Sequence, residues 1–175
     1  MKWWSHLKTI NHHKWLVMKY CFRVGLIKQG LLHDLSKYSP TEFLVGVKYY
    51  QGTRSPNNAE REDKGYTSAW LHHKGRNKHH LEYWLDYGLN GEGIIGMRMP
   101  TNYVVEMFCD RVAASQNYNR DTYEDTFPLA YYEKGKERYL LHPESRELLE
   151  RLLHMLAEEG EAKTFSYIRN EVLKK

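Results

Sequence analysis

PTNYVVEMFCDRVAASQNYN (residues 100–119) reads as one long helix. Pro100 suits a helix opening, where its missing N–H has no partner to lose. Glu106 and Asp110 are four residues apart, so they stack one turn above the other, while Val104, Met107, Phe108 and Ala114 hold the other faces. An inward Asp is costly unless it is paired or bound to a cation. The helix therefore carries both core and chemistry.

The helical period extends outward on both sides. His13, Val17, Cys21, Val24 and Ile27 recur at helical spacing, with Gly30 closing that helix. Leu31 to Lys37 reads as a short helical turn. Ser39-Pro40-Thr41-Glu42 is a helix start, with Ser39 as N-cap and Glu42 completing a capping box, followed by a helix over 41–50. Gln51 to Gly65 is polar and reads as a mobile loop and candidate lid. Tyr66 to Lys74 makes a helix stopped at Gly75, and Asn77 caps another that runs to about Tyr87. GLNGEGIIGMRMP (88–100) is a loop, and three more helices follow Pro128, Pro143 and Gly160. Leu148, Leu149, Leu152, Leu153 and Leu156 form a stripe for the core or for a second copy of the chain. The expectation is an all-α, single-domain bundle of about seven or eight helices over residues 1–175. Its motif core lies at 12–114, and helices of 128–174 pack on it.

Composition narrows the classes. A mean hydropathy of −0.75 and the lack of an apolar run near ~20 residues argue against a membrane span. MKWWSHLKTINHHK has no apolar stretch of about 7–15 residues, so no secretory signal is expected. Cys21 and Cys109 are too few for a disulfide framework, which points to a reducing cytoplasm. Residues 1–100 carry 15 basic and 8 acidic residues, against 11 and 14 in 101–175. A basic first part suits a phosphate ester or nucleic acid, or simply a solvated face.

Histidine is the sharper signal. Eight of the ten lie in the first 80 residues, with adjacent pairs at His12–His13, His72–His73 and His79–His80. His13 sits on the apolar face of the first helix, and His33-Asp34 follows two leucines. Tyr66, Trp70 and His73 share one helical face, while His72 points elsewhere. A single inward histidine is ordinarily hydrogen-bonded core. The set His13, His33, Asp34, His73, His79, His80 and Asp110 is different, because imidazoles and carboxylates together are ligands of Zn, Mn, Fe or Co.

In that order, on helices, these residues resemble the signature of the HD superfamily of metal-dependent phosphohydrolases. LLHDLSK (31–37) is similar to its central motif, including the Lys three residues after the Asp. HHKGRNKHHLEYW (72–84) resembles the histidine-rich stretch of a small bacterial and phage subgroup whose function is unknown. The resemblance implies one ion on His13, His33, Asp34 and Asp110, with Asp34 bridging to a second on His73 and either His79 or His80. One or two divalent ions (Mn, Fe, Zn, Co or Mg) are thus expected. The absence of a GYP element leaves cyclic-dinucleotide hydrolysis unimplied.

The chemistry expected from this pattern is hydrolysis of a nucleotide or other small phosphate ester by a water that the metals activate. Asp34 and Lys37 would be catalytic, with Lys37 and Arg76 contacting phosphate and Lys74 and Lys78 as further candidates. Glu82 and Glu106 would accept imidazole N–H groups and fix their tautomers, with Glu106 equally a candidate for an added ligand. Tyr38, Tyr66, Trp70, Tyr83 and Trp84 suit a stacked base or a packed core. Two other classes stay open: an HD-type di-iron oxygenase, and a non-enzymatic domain that binds nucleic acid or protein around a structural metal.

Overall fold

α1 (Lys2–Arg23) is the first of eight α-helices among residues 2–174, the part of the chain that the computed structural model describes. It is followed by α2 (Ile27–Leu32), α3 (Pro40–Tyr49), α4 (Pro56–Lys64) and α5 (Ser68–Lys74). A two-stranded antiparallel sheet of β1 (Leu85–Tyr87) and β2 (Ile94–Gly96) comes next, with Leu85 opposite Gly96. Helices α6 (Thr101–Asn119), α7 (Phe127–Glu133) and α8 (Pro143–Tyr167) complete the fold. The protein is all-α, as the hydrophobic period requires.

The core forms where α1, α6 and α8 meet. His6, Ile10, His13, Leu16, Val17, Tyr20 and Cys21 form the buried face of α1, and Val104, Val105, Phe108, Cys109 and Val112 are buried on α6. Leu149, Leu152, Leu153 and Leu156 of α8 have no exposed surface. Full burial of each contributes roughly 1.5–3 kcal/mol. These four leucines are therefore used inside the chain and offer no face to a second copy. At Gly160 (φ 80°, ψ 171°) α8 kinks, so the helix expected after that glycine continues as a second arm of the same element.

Several sequence expectations need correction. Gly30 does not close the first helix, which ends at Arg23; it lies buried inside α2. A Cβ at Gly30 would stand 3.1 Å from Cys21 Cβ and Phe22, so the missing side chain lets α2 lie close on α1. The polar segment 51–65 is not all loop. Ser55 caps α4 by accepting the Asn57 N–H at 3.4 Å, Pro56 opens it, and Gly65 closes it in the left-handed region at φ 79°. Glu60 of α4 is fully buried and accepts the Ser68 hydroxyl at 2.7 Å, which ties α4 to α5. α5 begins at Ser68, with Thr67 accepting the Trp70 N–H at 3.1 Å, so Tyr66 lies outside it and is exposed.

The helix expected from Asn77 to Tyr87 is also absent. Asn77 donates instead to the His73 carbonyl at 2.8 Å and to Ser36 Oγ at 2.9 Å. The chain then makes a 3-10 turn (Leu81–Trp84) and enters the hairpin, which also converts part of the 88–100 loop into β2. No described helix is long and apolar enough to cross a membrane.

One buried group ties stability to pH. His6 packs against the rings of Phe43 and Tyr50, with centroids 5.3 and 5.6 Å away, and its Nδ1 has no partner. Burial, and then the nearby Lys37 charge, lower its pKa from 6.5 to about 4. Between those values the unfolded chain takes up a proton that the folded chain refuses. The contribution is therefore full above about pH 6.5 and lost as pH falls towards 4, at up to about 3 kcal/mol. In urea unfolding at pH 7.5 and 4.5, His6→Phe should lose about 2 kcal/mol less stability than wild type over that interval. An equal loss in both proteins would contradict this assignment.

Candidate metal centre

The centre starts from a break in the helix. Consecutive helical residues point about 100° apart, so His33 and Asp34 could not both face one point inside a helix. α2 stops at Leu32; His33 adopts φ −52°, ψ 128° and Asp34 the left-handed φ 55°, ψ 25°. Both side chains then turn inward, each 2% exposed. Lys14 of α1 holds the break by donating to the carbonyls of Leu31 at 2.9 Å and His33 at 2.7 Å.

Around Asp34 the imidazoles divide between its two oxygens. Oδ2 faces His13 Nε2 at 3.6 Å and His33 Nε2 at 3.3 Å. Oδ1 faces His73 Nε2 at 3.2 Å and His79 Nε2 at 3.4 Å. Asp110 joins the first side, its Oδ1 3.0 Å from His13 Nε2 and 3.5 Å from His33 Nε2. Two groups result: His13, His33, Asp34 and Asp110, and Asp34, His73, His79 and His80. In each, the donor atoms lie within 4.8 Å of one another. His33, His79 and Glu106 make a third such group, overlapping both.

Carboxylates on the outer side of the rings fix the tautomers. Glu106 Oε1 accepts the His33 Nδ1–H at 2.9 Å and stands 3.2 Å from His79 Nδ1. Glu42 accepts Nδ1–H from His73 at 2.8 Å and from His72 at 2.6 Å. A carboxylate can only accept, so the Nδ1 of His33 and of His73 carries a proton, which leaves Nε2 as the atom that faces the centre and can bind a cation once its own proton is lost. The Nε2 atoms of His13, His33, His79 and His80 and Asp34 Oδ1 are buried without a hydrogen-bond partner, while Asp34 Oδ2 pairs with the Lys37 ammonium. Lone pairs that face a carboxylate need positive charge between them, as protons or as a metal ion.

The electrostatics express the same demand. Burial would raise the Asp34 pKa, but His33, Lys37 and His73 hold it well below the usual carboxylate range. Burial likewise opposes ionisation of Asp110, and His13 and His33 outweigh it. For His33, burial favours the neutral ring, yet Asp34, Asp110 and Glu106 push its pKa well above the ordinary value. His80 goes the other way, lowered by burial and then by His79 and His73. Without an ion, protons on His33 and His73 offset the acids; a transition metal would take their place, leaving ionised acids beside neutral imidazoles.

The sequence-named residues are distributed unevenly. His13, His33, Asp34, His73, His79, His80 and Asp110 come together, and Glu106 stands behind them. Lys37 lies beside them, Nζ 2.5 Å from Asp34 Oδ2; burial alone would lower its pKa, but Asp34 and Asp110 raise it above that of ordinary lysine. Arg76 is exposed, bonds the His72 carbonyl at 3.1 Å and lies away from the cluster. Glu82 makes no hydrogen bond or ion pair with any imidazole, because the helix that would have aimed it does not form. Of the aromatic residues, Trp70 packs on His73 and His80, with centroids 5.6 and 4.6 Å away, whereas Tyr38, Tyr66 and Tyr83 are exposed. Glu42, read in sequence as half of a capping box, was missed. Ser39 makes no side-chain cap, and Glu42 is buried against the two imidazoles instead.

A cavity of about 720 Å³ opens onto the cluster, with His13, Lys37, His73, His80 and Asp110 in its wall. The fold and site together define an all-α protein with a buried His/Asp cluster positioned to hold a metal ion. The chain belongs to the family of unknown function DUF5662, whose model matches residues 2–155. No curated protein and no solved structure matches it.

Proposed function

We propose that this protein is a metal-dependent phosphohydrolase of the HD type that cleaves a nucleotide or another small phosphate ester. The observation that carries the reading is the convergence of unsatisfied Nε2 atoms on a buried Asp34 whose two oxygens face two separate groups. The resemblance of LLHDLSK (31–37) to the HD motif supplies the reaction class. His13, His33 and Asp110 would serve Asp34 Oδ2, and His73, His79 and His80 would serve Oδ1. When bound, ions such as zinc, manganese, iron or cobalt turn a water into a nucleophile near neutral pH and offset phosphoryl charge.

The chain's own residues do the rest. Glu42 and Glu106 keep protons on the outer ring nitrogens, which holds the inner lone pairs in place. Lys37, paired with Asp34 at the cavity wall, would offer its ammonium to a phosphate oxygen once bound ions take over Asp34, as a compact point charge. Trp70 gives the cavity a flat apolar side beside His73 and His80.

Metal analysis of protein purified without chelators tests the reading directly. The expected result is at least one transition-metal ion per chain, with phosphate released from an ester panel in manganese and stopped by chelator. Protein that stays empty when offered manganese, zinc, cobalt and iron overturns it. Bound iron with oxygen consumption and no phosphate release replaces it with oxidative chemistry.

A further inference from the structure

Arg111 follows Asp110 on α6 and lines the same cavity as His13 and Lys37. Its guanidinium lies over the rings of Tyr132 and Tyr139, 5.4 and 5.2 Å from their centroids. Its Nε is buried and has no hydrogen-bond partner. No carboxylate lies within ion-pair distance of it among the described residues. The other arginine in the cavity wall, Arg54, is held in a fork by Glu62, with contacts of 2.7 and 2.6 Å. Lys37 is likewise held by Asp34. Arg111 is thus a cation that the fold places in the cavity and leaves unneutralised.

The packing explains how it is held. Cation–π contacts with two rings hold a guanidinium in place without using its N–H donors, which stay free for another partner. Five donors in a planar fork match the oxygens of a phosphate. We infer that Arg111 is the anion anchor of this cavity: it binds a phosphoryl group of the ligand from the α6 side, beside Asp110. The naming of phosphate rests on the hydrolase reading above, but the unneutralised Arg111 in the wall, beside the exposed Lys134, does not.

Calorimetric titration of inorganic phosphate into chelator-treated and manganese-loaded protein tests this, with Arg111→Gln and Arg111→Lys as variants. Circular dichroism confirms that each variant is folded, and the lysine variant keeps the charge if glutamine disturbs the packing. Arg111→Gln should weaken phosphate binding about ten-fold or more, and Arg111→Lys should fall between it and wild type, since the charge stays but the fork is lost. A glutamine variant within about two-fold of wild type overturns the inference. Ester hydrolysis measured in parallel separates the two readings. If Arg111→Gln binds phosphate normally while wild type hydrolyses esters, the anchor fails and the hydrolase stands. If phosphate binding depends on Arg111 but no ester is cleaved, the anchor stands and the hydrolase fails.

Discussion

Asp34→Ala should yield protein with no bound transition metal and no phosphate release, while far-UV helicity stays near that of wild type. Asp34 is the residue shared by both four-membered donor groups, so its loss unmakes each of them. Its backbone is left-handed, which disfavours alanine by roughly 1–2 kcal/mol relative to a relaxed residue. Asparagine tolerates that conformation, so Asp34→Asn isolates the charge from the backbone. Both variants should lower hydrolysis by at least about 10³-fold if metal-activated water is the nucleophile. Metal content after exhaustive dialysis, read beside circular dichroism, is the deciding measurement. Full activity in Asp34→Ala would remove the hydrolase reading outright.

The second large effect is expected at Glu42. His72 donates to Oε1 and His73 to Oε2, so glutamine in the same place turns its donating amide towards one of the two rings. With the amide towards His73, that ring loses the acceptor that orients it for a cation. Metal affinity should fall by about 10–100-fold, with the fold retained. His72→Ala is the control, because His72 belongs to none of the donor groups and Glu42 keeps its bond to His73 without it. A competition titration with a chromophoric chelator reads both. Unchanged affinity in Glu42→Gln would mean that its carboxylate only fills space.

Much of this was legible in the sequence for physical reasons. The long helix after Pro100 and the leucine stripe follow from helix-opening prolines and a helical apolar period, and both stand in the structure. The cluster was visible because adjacent histidines beside acids are expensive to bury without a common purpose. Other features were hidden by competition between local and distant partners. Ser39 and Glu42 satisfy the capping-box spacing, but two imidazole donors from α5 outbid a backbone N–H for the same carboxylate. Residues 55–65 carry a cap, a helix-opening proline and a closing glycine, yet their polarity suggested a loop. α4 is held to α5 through Glu60 more than by an apolar stripe. His79 and His80 defeated a helical phase because no helix runs there; the turn lets both enter the group with Asp34 and His73. Arg111 could not be singled out, since nothing in a sequence tells which arginine lacks an acid.

The donors of the cluster span His13 to Asp110, so no short fragment of the chain can assemble it. A cation recognised only by the assembled state draws the folding equilibrium towards that state by mass action, adding about 2.7 kcal/mol when free ion exceeds the dissociation constant a hundredfold. Thermal midpoint and protease lifetime would then track the supply of that ion, making the amount of intact protein a gauge of metal availability even where turnover is never assayed.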